Sequence, residues 1–184
     1  MLVQMPILFA GNNAVPATTL MSHIHHSINS TKSFSDLYEC MELEEKGLSK
    51  DAFEKAIEGY QQLLNDQMLK RIDIITIADF SKPSNEERLF VIDLKHNLIL
   101  HKSLVAHGKN SGLLYARDFS NKPETNKSSL GFYLTLNSYS GEHGCSLRLK
   151  GLEKNINDKA YERAIVMHGA PYVSQKNVKQ NGFI

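Results

Sequence analysis

Residues 139–153 read Y-S-G-E-H-G-C-S-L-R-L-K-G-L-E, and residues 157–174 read N-D-K-A-Y-E-R-A-I-V-M-H-G-A-P-Y-V-S. Each segment contains a His-Gly dipeptide, His143-Gly144 in the first and His168-Gly169 in the second. A glycine after a histidine lets the backbone turn or approach a ligand closely. His168 directly follows the apolar run A-I-V-M, which predicts a strand, and opens into a loop. A base held at the end of a rigid strand is well placed for acid–base chemistry.

The hexapeptide G-E-H-G-C-S places Cys145 two residues after His143. A thiol becomes a good nucleophile at neutral pH when a base helps to form the thiolate, so the pair has the composition of a catalytic dyad. The alternative is a turn that contains both residues without chemical consequence. Histidines at strand ends are more often structural, because their ring nitrogens satisfy nearby backbone groups.

Composition excludes several classes of function. The 184 residues carry a formal charge of +1, so no broad basic surface for nucleic acid is indicated. The two cysteines, Cys40 and Cys145, are too few for a disulfide framework, and no C-x-x-C motif supports a zinc ribbon. No apolar run is long enough to span a bilayer. The sequence therefore predicts no metal and no cofactor, and it does not indicate an oligomeric state.

Residues 1–31 contain no Lys, Arg, Asp or Glu. They open with the apolar run M-L-V-Q-M-P-I-L-F-A and then turn polar, which is compatible with an incomplete export signal or with an uncharged tail. His23, His25 and His26 lie close enough in the chain to bind a metal. A solvated tail is the favoured interpretation of these histidines, because no acidic or thiol partner lies nearby.

The remaining chain divides into a helical part, 32–69, and a strand-rich part, 70–184. One helix is predicted over 35–47, and a second begins after its cap at Ser49, so together they form an antiparallel hairpin. The other predicted elements follow in chain order: strands at 72–80, 89–94, 98–105, 132–136, 146–149 and 164–167, a long polar loop at 106–129, a short helix near 158–163 and another helix from Ser174. The expected fold is mostly β, of the α+β class.

Together, the two quoted segments resemble the catalytic domain of the murein L,D-transpeptidase family, the YkuD-like group. The upstream segments V-I-D-L, V-A-H-G-K-N-S-G, F-S-N and S-S-L-G-F-Y fit the same pattern, so the resemblance covers roughly residues 70–184. It implies a β-sandwich or barrel domain. It also implies a cysteine acyltransferase that attacks a peptidoglycan stem peptide, releases its terminal D-amino acid and passes the acyl group to a neighbouring amine.

The resemblance also implies roles for individual residues. His168 and Gly169 match the family's catalytic His-Gly pair. Tyr139, His143 and Arg148 are expected to line the substrate groove, where Arg148 would hold a stem-peptide carboxylate, unless it forms an ion pair with Glu142 or Glu153. His107 and Ser129 belong to the family pattern and are expected at the substrate site, chiefly shaping it.

One family landmark is absent from the printed chain. The family's nucleophile lies downstream of its His-Gly pair in a short S-x-G-C motif, and no such motif occurs in the 184 residues. Cys145 precedes His168, which is the reverse of the family order, so Cys145 is expected to be a small apolar residue at a strand entry. Two interpretations follow: an exported, envelope or periplasmic transpeptidase truncated before its cysteine, or a non-catalytic peptidoglycan-binding protein of the same fold.

Overall fold

The computed structural model describes residues 6–10 and 34–184. They form seven strands and three helices. In chain order these are β1 Pro6–Ala10, α1 Phe34–Cys40, α2 Lys50–Asn65, β2 Ile74–Asp79, β3 Leu89–Asp93, β4 Leu98–Ser103, β5 Gly131–Gly141, β6 Gly144–Gly151, β7 Val166–His168 and α3 Gln175–Asn181. The predicted α+β class is confirmed, because a sheet and a few helices make up the described chain.

The sheet consists of two antiparallel halves joined by one strand. Its order is β4-β3-β2-β1-β5-β6-β7. β1 pairs parallel with β2 on one side and antiparallel with β5 on the other, and all other neighbours are antiparallel. Within the described residues the sheet stays open, with β4 and β7 at its edges, so it does not close into a barrel.

The strand β1 is not among the strands that the sequence predicts. Pro6–Ala10 lies in the middle of the sheet, where Ile7 is in register with both Thr76 and Tyr133, although residues 1–31 read as a tail or signal remnant. An apolar run of ten residues carries no information about which strands it will join. The other residues of that segment, including His23, His25 and His26, lie outside the described residues.

Helices α1 and α2 pack against one face of the sheet. The Ser49 side chain accepts a hydrogen bond from the Ala52 N–H and caps α2, as predicted. The predicted apolar stripe of α2 is buried against Ile75, Ile77, Phe90 and Ile92 in one core cluster. This stripe comprises Phe53, Ala56, Ile57, Tyr60 and Leu63, with Leu64 partly buried beside it. The helical hairpin and the sheet therefore share one hydrophobic core.

The first helix is shorter than predicted. α1 ends at Cys40, and turns continue to Gly47, whose φ of +92° lies in the left-handed region that favours glycine. The short helix expected near 158–163 is instead a run of turns. α3 begins where a helix was predicted to start, at Ser174, whose side chain accepts from the Asn177 N–H and caps the helix. None of the helices in the described chain has the length and apolarity needed to cross a membrane.

The long loop at 106–129 packs on the opposite face of the sheet. Its Ala116 and Phe119 contribute to a second cluster with Ala78 and Leu89, and Met167 packs against the same cluster. Met167 immediately precedes His168, so this cluster anchors the end of β7. The loop has no regular secondary structure, as predicted, but its packing makes it part of the domain.

Candidate functional site

The end of the sheet formed by β5, β6 and β7 brings three of the predicted site residues onto one face. The pairing of β5 with β6 shifts between Thr135 and Ser138, where β5 carries one extra residue. Beyond this bulge Tyr139 lies opposite Ser146, and Ser146 lies opposite His168 on β7. Residues directly opposite one another project to the same face, so Tyr139, Ser146 and His168 form a row across the three strands. A bulge commonly re-aims side chains in this way.

Arg148 joins this row and Cys145 does not. Arg148 is two residues from Ser146 along β6, so it projects to the face that carries His168. Cys145 is adjacent to Ser146 and projects to the other face. The side chains of Cys145 and His168 therefore project to opposite faces of the sheet. Both Cys40 and Cys145 are free and exposed thiols.

The His168 ring has a defined orientation. Its Nδ1 lies 2.9 Å from the Gly169 carbonyl oxygen. A carbonyl oxygen only accepts, so Nδ1 carries the proton and donates to it. The neutral ring then has its lone pair on Nε2, and no hydrogen bond among the described residues uses this atom. Nε2 is the nitrogen that can accept a proton, and the ring is only partly buried, so a substrate can reach it.

His143 lies directly against His168. The two imidazole rings are stacked, with centroids 4.6 Å apart and an interplanar angle of 17°. His143 is exposed in the tight turn between β5 and β6. The sequence placed both residues at the site, but their 25-residue separation does not indicate ring contact. Pairing of β6 with β7 creates that contact, because β7 runs toward the β5–β6 turn.

Arg148 is held by aromatic rings rather than by a carboxylate. Its guanidinium lies 4.4 Å from the centroid of the Tyr139 ring and 5.7 Å from that of Tyr161. Tyr161 is not among the site residues that the sequence predicts. It lies in the connection between β6 and β7, and its spacing along the chain does not indicate a contact with Arg148. Stacking on two rings restrains the cation, and no hydrogen bond among the described residues uses its N–H groups.

The alternative ion pairs of Arg148 do not form. Among the described residues, no ion pair or hydrogen bond joins Arg148 to Glu142 or Glu153. The Glu153 carboxylate accepts instead from the Phe132 N–H, and burial raises its pKa. Arg148 is therefore a positioned cation without an anion partner among the described residues, and such a cation can bind a carboxylate.

Both ring nitrogens of His107 are hydrogen-bonded within the protein, so neither is available to a substrate. Its Nε2 donates to the Gly112 carbonyl oxygen at 3.1 Å, and its Nδ1 accepts from the Arg88 guanidinium at 2.8 Å. Burial and the charge of Arg88 lower the pKa of His107, so the ring is neutral at physiological pH. We therefore place His107 among the groups that shape the long loop, and not among direct substrate contacts.

Ser129 is likewise committed to the protein. It is almost fully buried, and its hydroxyl lies 2.7 Å from the Tyr133 hydroxyl, which donates to the Ser129 carbonyl oxygen. The Arg163 guanidinium donates to the same side chain and to the carbonyl oxygens of Ser120 and Lys127. Burial raises the pKa of Tyr133 to about 12. These contacts fasten the end of the loop to β5, so a direct contact of Ser129 with substrate has no support.

The glycines of the three His-Gly dipeptides serve different purposes. A side chain at Gly108 would come within 2.6 Å of the Asn126 carbonyl oxygen, so this glycine allows a close backbone approach. Gly144 has a φ of +82°, which a turn can demand of glycine. Gly169 has neither feature: its φ lies outside that region, and no described atom lies within 4 Å of an added Cβ. The space beside Gly169 is open.

The described residues contain no group of three or more His, Cys, Asp or Glu side chains that could hold a metal ion. What the site offers is a base with a free nitrogen, a positioned cation and open space beside a strand end. This set is suited to acid–base chemistry on a substrate that carries a carboxylate.

Comparison with known proteins gives the family of the chain. A family model described as the L,D-transpeptidase catalytic domain (YkuD_2) matches residues 44–184, which include α2 as well as every strand from β2 to β7. Searches of curated proteins and of solved structures returned no significant match. Because the family model covers most of the sequence and reaches through His168 and Gly169, the chain belongs to the L,D-transpeptidase catalytic domain family.

Proposed function

We propose that this protein is a peptidoglycan L,D-transpeptidase that acts on stem peptides, with His168 as the general base. The observation that carries the proposal is the state of the His168 ring. Its Nδ1–H is fixed on the Gly169 carbonyl oxygen, its Nε2 makes no hydrogen bond among the described residues, and the ring is only partly buried. A base must have an accessible lone pair in a fixed place, and among the residues named for the site His168 meets both conditions.

The chemistry assigned to His168 is proton transfer during thiol acylation. Nε2 takes the proton of a cysteine thiol as sulfur attacks the stem-peptide carbonyl, and a thioester forms while the bond to the terminal D-amino acid breaks. The imidazolium then gives its proton to the departing amine. In the second half, Nε2 takes a proton from the acceptor amine as it attacks the thioester, and this proton is returned to the released thiolate.

The nucleophile of this scheme is a cysteine in the family's S-x-G-C motif, which the 184 residues do not contain. Cys145 is not proposed for this role, because it projects to the opposite face of the sheet from His168. Reading the gene beyond codon 184 gives the first test. A serine-x-glycine-cysteine sequence there supports the proposal, whereas a stop codon directly after Ile184 contradicts it.

Acyl-enzyme formation tests the role of the base directly. In a form that carries the nucleophile, a thiol-reactive acyl donor should add its acyl mass to the wild-type protein. His168→Ala should lose this adduct and remain folded, because the ring is partly exposed and makes one hydrogen bond. His101→Ala is the matched control, since it removes an exposed imidazole from the edge strand β4. An undiminished adduct in His168→Ala would remove this residue from the mechanism.

Arg148 is proposed to bind a carboxylate of the stem peptide. Arg148→Met should weaken binding of a stem tetrapeptide about ten-fold, which corresponds to loss of one charged hydrogen-bonded contact. Arg117→Met, which removes an exposed cation from the long loop, should leave the affinity unchanged. Calorimetry on the 184-residue chain can measure both. Equal weakening by the two variants would indicate general charge attraction instead of a site.

The second candidate is a non-catalytic peptidoglycan-binding protein of the same fold. The observation that favours it is the Arg148 guanidinium, which stacks on two tyrosine rings and has no carboxylate partner among the described residues. The two candidates give different results. An enzyme forms an acyl adduct that depends on His168, whereas a binding protein shows stem-peptide affinity that depends on Arg148 and forms no adduct.

Peptidoglycan lies outside the cytoplasmic membrane, so the proposed site of action is the periplasm or cell envelope. The apolar run at the start of the chain overlaps β1, which lies between β2 and β5. The small residues Ala14 and Ala17 follow the apolar run, and a signal peptide cleaved after Ala17 would carry this strand away. Cell fractionation with N-terminal sequencing tests both points: recovery only from the cytoplasm would contradict the location, and a mature chain starting after Ala17 would contradict β1.

A further inference from the structure

We propose that His143 is a positioning residue for His168: it stacks on the imidazole and holds the plane of the ring, so that Nε2 keeps a constant direction. The inference rests on the proposed function, in which His168 is the base. The rings are nearly parallel, at 17°, with centroids 4.6 Å apart.

The fold supplies this contact through a glycine turn. Gly141 pairs with Gly144, so Glu142 and His143 alone form the turn between β5 and β6. The left-handed φ of Gly144, +82°, closes the turn and sets the direction of His143. β7 is antiparallel to β6, and from Ser146 opposite His168 it continues toward this turn. The tight turn therefore places the His143 imidazole against the face of the His168 imidazole.

His168 needs this support because few other contacts hold its ring. It ends a strand of three residues at the edge of the sheet, and it is only partly buried. The torsion that rotates an imidazole about its bond to Cβ is broad and roughly two-fold, so the strand alone does not define the ring plane. The stack restrains the plane, and the hydrogen bond from Nδ1 to the Gly169 carbonyl oxygen selects one of the two orientations within it.

Geometry favours positioning over proton relay between the two rings. The lone pair and the N–H bonds of an imidazole lie in the plane of the ring, so a relay needs two rings that meet at their edges. His143 and His168 meet face to face, and no hydrogen bond between them occurs in the described chain. The contact can therefore orient His168 but offers no path for a proton.

The tautomer of His168 tests the inference on the 184-residue chain, without any catalytic readout. Nitrogen-15 NMR at pH about 8.5, where an ordinary imidazole is neutral, should give the wild-type His168 the signature of a ring protonated at Nδ1. His143→Phe keeps an aromatic face and should retain this signature. His143→Ala should give averaged shifts of both tautomers. Unchanged shifts in His143→Ala, or averaged shifts in His143→Phe, would overturn the inference.

Acylation kinetics connect the contact with function in the form that carries the nucleophile. His143→Ala should slow acylation about ten-fold with little change in KM, because misorientation of a reacting group affects the rate rather than binding. His143→Phe should restore the rate to within about two-fold. A Phe variant that keeps the tautomer but acylates as slowly as the Ala variant would show that the His143 nitrogens act directly, which would overturn a positioning role.

The two experiments also separate this inference from the proposed function. If His168→Ala retains full acylation, the assignment of His168 as base fails, while a tautomer that depends on residue 143 still establishes that the stack orients the ring. If His168→Ala abolishes acylation and the tautomer does not respond to residue 143, the proposed function stands and the positioning role is contradicted.

Discussion

His107 and His168 both stand directly before a glycine, yet their surroundings differ in every respect that determines the chemistry of an imidazole. His107 has one nitrogen on Arg88 and the other on the Gly112 carbonyl oxygen, and burial lowers its pKa. In the partly buried His168 ring, Nδ1 donates to the Gly169 carbonyl oxygen, and Nε2 makes no hydrogen bond among the described residues. The same dipeptide therefore serves as a structural link in one region and as a candidate base in the other.

Two arginines show the same difference: one has its guanidinium bonded within the protein, and the other has a guanidinium available to a ligand. Arg88 is fully buried and remains charged, although burial lowers its pKa to about 10. Its guanidinium donates to the carbonyl oxygens of Lys82 and Val105 and lies 4.8 Å from the Phe80 ring centroid. At the other end of the sheet the Arg148 guanidinium stacks on tyrosines and has no carbonyl partner among the described residues. One arginine is satisfied by protein, and the other can bind a ligand.

The largest effect on stability is expected at the buried arginine. Arg88→Leu should lower the free energy of unfolding by about 3 kcal/mol or more, because it leaves buried carbonyl oxygens and the His107 Nδ1 without their donor. Urea unfolding measures this loss. Arg71→Leu, which removes an exposed arginine paired with Asp73, should change the value by no more than about 1 kcal/mol. Similar losses in both variants would contradict the structural role of Arg88.

The glycines that follow the two histidines, Gly108 and Gly169, are also expected to differ in their tolerance of a side chain. Gly108→Ala should destabilise the protein by about 1–3 kcal/mol, because the added methyl group meets backbone atoms of Asn126 and Ser128 at 2.6 and 2.7 Å. Gly169→Ala should leave stability unchanged or raise it by up to about 1 kcal/mol, since the site is open. It should nevertheless slow acylation if substrate occupies that space. Equal destabilisation by the two variants would contradict the distinction.

The lowered pKa of His107 predicts a smaller effect that depends on pH. The unfolded chain takes up a proton near pH 6.5, whereas the folded chain resists it, so His107 supports stability above that pH and the support is lost as the pH falls below it. His107→Asn should therefore flatten the decline in unfolding free energy between about pH 6.5 and 5. His101→Asn, at an exposed imidazole, should not. Parallel wild-type and His107→Asn profiles would refute the prediction.

The smallest effect is expected at Cys145. Cys145→Ser should keep acylation within a few-fold of wild type, because the thiol is exposed and projects away from the face of His168. Adduct mass and rate in the form that carries the nucleophile provide the measurement. Complete loss of the adduct from a folded Cys145→Ser protein would reinstate the G-E-H-G-C-S segment as the catalytic one.

Local signals predicted much of the fold correctly. Interactions within a few residues of one another account for the Ser49 cap, the helix start at Ser174, the apolar stripe of α2 and the hairpin between β3 and β4. Local signals do not predict the structure of a segment whose conformation depends on contacts with residues distant in the sequence. The segment near 158–163 has helical composition, but Asn157 binds the carbonyl oxygens of Leu130 and Phe132 and anchors a run of turns instead.

The candidate site divides in the same way. Its family could be identified from the order of motifs along the chain. The same motifs predicted His168 and Gly169 as its principal residues. The contact of His143 with His168 and the clamp of Tyr139 and Tyr161 on Arg148 could not. These contacts join residues on different strands or connections, and linear spacing does not encode the register that brings them together.

By itself, the sequence determined the family, the α+β class and the residue types available for chemistry, because these depend on composition and on order along the chain. Only the tertiary structure decided that Pro6–Ala10 completes the sheet and that Cys145 lies on the other face from His168. The physical reason is the two-residue period of a strand. One extra residue in β5 reverses which side chains face the site, and pairing with neighbouring strands sets where that residue falls.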